Sequence, residues 1–288
     1  MARVPGQVRE VHVDDVAATV RELCMEICYR VPPEMVKLMR RAREREESPL
    51  GRQILDQLLL NQEVAAEGDY PYCQDTGFTV VFADVGQDVH LVGGDLTEAI
   101  DRGVATGYAD GYLRGSIVED PLFNRRNTGH NTPAFVHTRL VPGDRIRIQV
   151  DAKGAGSENM GRLGMLKPSD GLEGVKRFVL TAVAESGPNA CPPGIIGVGV
   201  GGNFETCAVL AKRSLMRTVG EPSPDPKVAA LEAELFEGCN ALGLGPEALG
   251  GTQTVLAVHV ETMPTHIASL PVAVNIECHA HRTGVREI

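Results

Sequence analysis

Apolar residues recur at Val13, Val16, Val20, Leu23, Ile27 and Val31. That spacing marks one face of a helix and predicts helix over 13–29. Pro32-Pro33 interrupts the pattern, and Pro33 suits the first turn of a second helix over 33–46. A third helix, 48–66, starts with Ser48 as its cap and carries Ile54, Leu58 and Leu59 on one face. Gly68-Asp-Tyr-Pro71 closes this helical opening. The pattern then changes to short runs. Residues 78–83 read as a strand, with 88–92 as its partner, and 96–112 as a helix. Residues 135–140 and 145–150 flank Pro142-Gly143-Asp144, a turn signature, and read as a hairpin. Helix 171–184 follows a long polar loop. Strand 195–200 leads into helix 204–217, and Glu221-Pro-Ser-Pro-Asp-Pro226 is a surface connector. Helix 227–241 and strands near 254–261 and 271–276 complete the chain. The expected class is α/β, mixed α+β: a helical N-terminal region, then alternating short strands and helices around the site. We read residues 1–288 as one domain, with a helical subregion over 1–68 and a mixed one over 69–288.

Composition narrows the function. The chain has 288 residues, 43% hydrophobic and 23% charged, as in ordinary globular proteins. No run approaches the roughly 18–20 apolar residues of a membrane span. A net charge of −10 argues against nucleic acid or an anionic membrane as partner. Aromatic residues are only 4%, without tryptophan, so stacking on bases or sugars is not expected. The start of the chain lacks the apolar core of a secretory leader, which points to the cytoplasm. There the seven cysteines stay reduced unless they hold metal or do chemistry.

The cysteines divide by setting. Cys24, Cys28, Cys207 and Cys239 fall inside helical patterns and read as small buried hydrophobes. Cys73, Cys191 and Cys278 fall on turn-rich segments at strand ends, where sites are commonly built. Three such thiolates could converge on a soft metal centre, although no Cys-x-x-Cys is present. Leu113-Arg-Gly-Ser116 offers an arginine fork for a carboxylate. Lys153-Gly-Ala-Gly-Ser-Glu-Asn159 is a glycine turn able to point N–H groups at an anion, and it is not a Walker loop. The glycines of Ile195-Ile-Gly-Val-Gly-Val-Gly-Gly202 do not fit the dinucleotide fingerprint and read instead as close strand–helix packing. His266, between Pro264 and Pro271, is placed for acid–base work. His279 and His281 flank Cys278, which leaves a structural zinc site as a competing reading.

Taken jointly, these motifs resemble the class I, iron–sulfur fumarases and the related L-tartrate dehydratases, closest to the α chain of the two-subunit form. The strings are Tyr72-Cys-Gln-Asp-Thr-Gly77, Asn127-Thr-Gly129, Lys153-Gly-Ala-Gly-Ser-Glu-Asn159, Met165-Leu-Lys-Pro-Ser-Asp-Gly171, Cys191-Pro-Pro-Gly-Ile-Ile-Gly-Val-Gly199 and Pro264-Thr-His-Ile-Ala-Ser-Leu-Pro271. The resemblance implies a [4Fe–4S] cluster on Cys73, Cys191 and Cys278, with one open iron acting as Lewis acid. It places Gln74, Asp75, Arg114, Gly156 and His266 against a dicarboxylate, with Asp75 and His266 managing the proton of the leaving hydroxyl. The activity implied is reversible hydration of fumarate to L-malate, with L(+)-tartrate dehydration as the alternative. The family's proton-abstracting threonine has no counterpart here, so a separate β chain and an α2β2-type assembly are expected. Two departures stand out: His130 where the family pattern has aspartate, and Ala155 in place of a glycine.

Overall fold

The computed structural model describes residues 8–68 and 70–288. The leader reading at the extreme N-terminus and Asp69 of the first loop lie outside them. In chain order the elements are β1 (Arg9–His12), α1 (Val13–Tyr29), α2 (Pro33–Arg45), α3 (Pro49–Ala66), β2 (Phe78–Gly86), β3 (Val89–Val92) and α4 (Leu96–Asp110). Then come β4 (Phe135–Val141), β5 (Ile146–Lys153), α5 (Ala155–Glu158), β6 (Arg162–Leu166), α6 (Gly171–Ser186) and β7 (Gly194–Gly201). The last are α7 (Phe204–Ser214), α8 (Pro226–Asn240), β8 (Val255–Met263), β9 (Leu270–Glu277) and β10 (Thr283–Glu287). The class is mixed α/β, as the sequence pattern predicts. The chain forms two compact units. One holds the described residues up to Pro32 with Val64–Lys153 and Arg282–Ile288; the other holds Pro33–Glu63 and Gly154–His281.

In the first unit a four-stranded sheet runs β10-β5-β2-β4. Its core forms where Val16, Val20, Leu23 and Ile27 of α1 meet Ile100, Val104 and Tyr108 of α4 and the inner face of the sheet. The two helices approach closely because α4 carries Gly103 and Gly107 on the contact side. A Cβ would lie 2.5 Å from the Ala17 carbonyl oxygen at Gly103 and 2.9 Å from that of Arg21 at Gly107. Asp95 caps α4 by accepting from the N–H groups of Thr97 and Glu98 at 2.8 and 3.0 Å.

Two strand pairings differ from the sequence reading. β3 does not pair with β2; it runs parallel to β1, with Val11 opposite Leu91. β4 and β5 do not form a hairpin, because β2 lies between them, parallel to β4 and antiparallel to β5. β2 is buried along nearly its whole length and needs a partner on each edge. The 142–145 turn bonds instead to the end of β2 and the residues just after it. Gly143 and Arg145 carbonyls accept from Asp88 and Gly86 N–H groups, each at 2.8 Å. β6 and β10, which the pattern did not predict, complete the two larger sheets.

In the second unit the sheet order is β6-β9-β7-β8. α6 and α8 cover one face through Val179, Val183, Leu235, Val258, Val272 and Ile276. α7 covers the other, and here the glycines of β7 serve close packing as the sequence suggests. A Cβ at Gly199 would lie 2.1 Å from the Cys207 carbonyl oxygen. The turn between α2 and α3 is anchored by buried Glu46, whose carboxylate accepts from Ser48, Thr252 and Gln253 N–H groups at 2.8–3.0 Å.

His259 of β8 is buried at 1% exposure, its Nδ1 3.0 Å from the Ser214 carbonyl and its Nε2 accepting from Gly220 N–H. Burial, reinforced by Arg217 and only partly offset by the Ser214 carbonyl and Glu232, lowers its pKa to about 4. The unfolded chain therefore takes up a proton near pH 6.5 that the folded chain refuses. Stability falls as pH drops through this window, by about 2 kcal/mol between pH 7 and 5 for this group. Urea unfolding of wild type and His259→Asn at both pH values checks it: the variant should lose this increment of pH dependence. Equal slopes in the two proteins would contradict it.

Candidate active site

In the first unit the 72–77 loop is held at both ends before β2 begins. Tyr72 N–H donates to the Cys28 carbonyl at the end of α1, at 2.8 Å. At the other end Gly77 takes φ +74°, where a Cβ would lie 2.5 Å from the Lys153 carbonyl oxygen, so only glycine fits. Gly77 N–H donates to Asp75 Oδ1 at 3.0 Å. Arg282, fully buried, donates through Nη1 to the Asp75 carbonyl. The half-buried Cys73 thiol and the exposed Gln74 side chain are thus set on a braced turn.

The same turn fixes Arg114. Thr76 Oγ1 accepts from Arg114 N–H at 2.9 Å and donates to the Arg114 carbonyl at 3.0 Å. Arg114 Nη1 in turn donates to Gln74 Oε1 at 2.7 Å. The structure therefore brings Gln74, Asp75 and Arg114 together beside Cys73. The Asn127-Thr-Gly-His-Asn131 motif explains itself here as scaffold. Asn131 Nδ2 donates to the Gly77 carbonyl at 3.2 Å, while its Oδ1 accepts from Ser116 N–H at 2.7 Å. Asn127 Nδ2 donates to the Gly115 carbonyl at 2.8 Å. His130, the departure from the family string, turns its Nδ1 to the Thr132 hydroxyl at 2.7 Å.

In the second unit Cys191 and Cys278 share one end of the sheet. β7 and β9 are antiparallel with Ile195 opposite Glu277, so the residues preceding β7 and following β9 are neighbours. His279 N–H donates to the Cys191 carbonyl at 3.3 Å. Cys191 has left-handed backbone, φ 48° and ψ 65°, at the close of the Gly187–Ala190 turn. Gly156 stands at this end too, exposed on the single turn of α5; a Cβ there would meet the Asn189 carbonyl oxygen at 3.1 Å. His266 does not. It is exposed in the connection between β8 and β9, its Nδ1 accepting from Ala268 N–H at 3.1 Å. All of β9 separates it from Cys278, roughly 25 Å at strand rise.

None of the seven cysteines is in a disulfide, and burial sorts them. Cys73, Cys191 and Cys278 are half-buried; the other four are buried. Burial pushes the Cys239 thiol up to about 12. It pushes Cys28 up to about 11, against the pull of Arg282 and with Cys73, Asp151 and Asp75 adding to the rise. Such thiols stay protonated and inert. Among the described residues no group of three or more His, Cys, Asp and Glu could hold a metal ion. His279 lies with its Nε2 3.0 Å from Glu247 Oε1, which gives it a role other than the zinc ligand considered above.

Three buried charges near the Cys73 loop escape sequence reasoning: Asp151, Lys153 and Arg282, each at most 1% exposed. A signal was present for two of them. Asp151 and Lys153 are two apart on β5 and so share a face. Nothing in the sequence distinguishes Arg282 from an ordinary surface arginine.

Comparison with known proteins shows the family. Residues 17–287 match the family described as fumarate hydratase (Fumerase). The "Putative L(+)-tartrate dehydratase subunit alpha" of Methanocaldococcus jannaschii is 37% identical over 279 residues, 95% of this chain and 97% of that one. The L(+)-tartrate dehydratase subunit alpha of Escherichia coli K12 is 35% identical over 276 residues, 94% of this chain and 90% of its own. The chain belongs to the fumarate hydratase (Fumerase) family.

Proposed function

We propose that this chain is the α subunit of a cytoplasmic iron–sulfur hydro-lyase that interconverts fumarate and L-malate, with Cys73, Cys191 and Cys278 holding a [4Fe–4S] cluster. The observation that carries this reading is the division of seven cysteines, none in a disulfide, into three half-buried loop residues and four buried ones. Half-buried cysteine thiols outside disulfides are the soft donors that iron–sulfur ligation uses, so the chemistry of the donor set, rather than a ready-made cluster of ligands, fits the group. When bound, a cluster with one iron free of protein ligands supplies a Lewis acid for the departing hydroxyl.

The chain's own residues do the rest. Arg114, oriented by Gln74, grips one carboxylate of the dicarboxylate through its guanidinium. The N–H of Gly156 faces an anion from a first helical turn, where it has no intrahelical acceptor. Asp75 holds or gives up the proton of the leaving hydroxyl. His266 shares that duty, and because one chain keeps it at the far end of β9, a second copy must supply it. This supports an α2β2-type assembly. The exposed Phe204, Met263 and Ile267 on the segments around His266 suit such a contact. The proton on the neighbouring carbon goes to a base on a β subunit, consistent with relatives named as subunits alpha.

A second reading keeps the chemistry and takes L(+)-tartrate as substrate, which the names of the relatives favour. The hydroxy acids of the two reactions, L-malate and L(+)-tartrate, differ by one hydroxyl, a discrimination of about 1–3 kcal/mol. A side-by-side kcat/KM with the β subunit present decides between them: the larger value on fumarate upholds the first reading, the larger value on tartrate the second.

Anaerobic reconstitution with iron and sulfide should give a brown protein. Cys191→Ser should lose iron and sulfide while its circular dichroism stays native, and Cys207→Ser should keep both. Equal loss from the two variants would contradict the sorting of the cysteines.

Chain mixing tests the second copy. Assemblies of His266→Ala chains with Cys191→Ser chains should recover about one quarter of wild-type activity, since each hybrid pair rebuilds one complete site. No recovery from demonstrably mixed assemblies would contradict a shared site.

A further inference from the structure

The single turn of α5 carries Gly156, and its Ser157 is buried, donating through Oγ to the Gly154 carbonyl at 3.2 Å. Its N-cap, Gly154, provides no side-chain bond, and four residues are too few for a helix to be stable alone. The last residue of the turn ties it to two neighbouring elements. Glu158 Oε2 accepts from Lys212 Nζ on the last turn of α7 and from Asn275 Nδ2 on β9, the latter at 2.8 Å. The Lys212 side chain is 12% exposed and that of Glu158 31%, so this charge-assisted bond is largely shielded from water. Asn275 lies on β9, three residues before Cys278. Gly161, just beyond the turn, also fits tightly: a Cβ there would lie 3.1 Å from the Glu158 carbonyl oxygen and 3.5 Å from Asn275 Nδ2.

We propose that Glu158, clamped by Lys212 and Asn275, is the positioning residue that sets the Gly156 N–H against the Cys191 turn, and so determines how tightly the dicarboxylate is held. The role of Gly156 rests on the hydro-lyase reading above; the clamp itself rests on the geometry. One carboxylate joins a helix, the strand leading to Cys278 and the anion-facing turn. The sheet does not depend on it, because its core is the separate apolar cluster under α6 and α8. Releasing the clamp lets the turn drift from the Asn189 carbonyl it packs on, and the N–H goes with it. Binding suffers while the groups that move protons stay in place.

The test uses the assembled enzyme, reconstituted with its cluster and β subunit, in wild-type, Lys212→Met, Lys212→Arg, Glu158→Gln and Glu158→Gln/Lys212→Met forms. Lys212→Met should raise KM about tenfold and leave kcat nearly unchanged, the cost of a slight misplacement of one binding group. The dissociation constant of succinate, an unreactive dicarboxylate, should rise in parallel by calorimetry, with iron and sulfide content at the wild-type level. Lys212→Arg, which keeps the charge and a donor, should restore both constants. The double variant should be no worse than either single one, because the two side chains act as a unit. If Lys212→Met does not fold, Glu158→Gln carries the same expectation, since it weakens the clamp with almost no change of shape. Wild-type KM and succinate affinity in the folded variants, with only a lower melting temperature, would overturn the proposal. A wild-type protein that neither holds iron nor binds succinate would overturn the hydro-lyase reading and this inference together.

Discussion

The register of β7 against β9 is the constraint from which most of the second unit's chemistry follows. Antiparallel pairing with Ile195 opposite Glu277 makes neighbours of the segment before one strand and the segment after the other. Cys191 and Cys278 are therefore adjacent though 87 positions apart in the chain, by subtraction of their numbers. A slip of one residue would turn Val272, Val274 and Ile276 out of the core, so burial of that face fixes the register and with it the thiols. The same constraint sends His266 to the other end of the sheet. A fold that joins two of its cysteines in this way separates them from His266 by the length of β9.

The first unit deals with a different difficulty, namely charge in a place without water. Asp151, Lys153 and Arg282 are all buried close to the start of β2. Removing ions from water is costly unless opposite charges and hydrogen bonds compensate. Arg282 contributes on both counts: it donates to the Asp75 carbonyl, and its charge opposes the rise in the Cys28 pKa. A chain with a net charge of −10 thus keeps cationic groups inside, near the loop that carries Cys73 and Asp75. Arg114 remains at the surface, its Nη1 donating to Gln74 Oε1.

Local signals were legible and long-range ones were not. The period of Val16, Val20, Leu23 and Ile27 located α1, and these side chains form the core face as expected. The Pro142-Gly143-Asp144 turn was read correctly as a turn but wrongly as a hairpin, because no local pattern reveals that β2 inserts between β4 and β5. β10 was missed since its burial is weak and its pairing with β5 joins opposite ends of the sequence. Of the site, the turn-rich settings of Cys73, Cys191 and Cys278 separated them from the helical cysteines. The scaffold role of Asn131 and the burial of Arg282 depend on partners dozens to hundreds of residues away, which spacing does not encode.

The central claim is that three loop thiols serve one cluster and leave one of its irons without a protein ligand. Electron paramagnetic resonance of the reconstituted protein after mild oxidation tests it most directly. The account predicts release of a single iron per cluster and the appearance of a [3Fe–4S] signal, reversed when ferrous iron and a reductant are added. A cluster that keeps all its iron under these conditions, or a protein that takes up iron without sulfide, would contradict it.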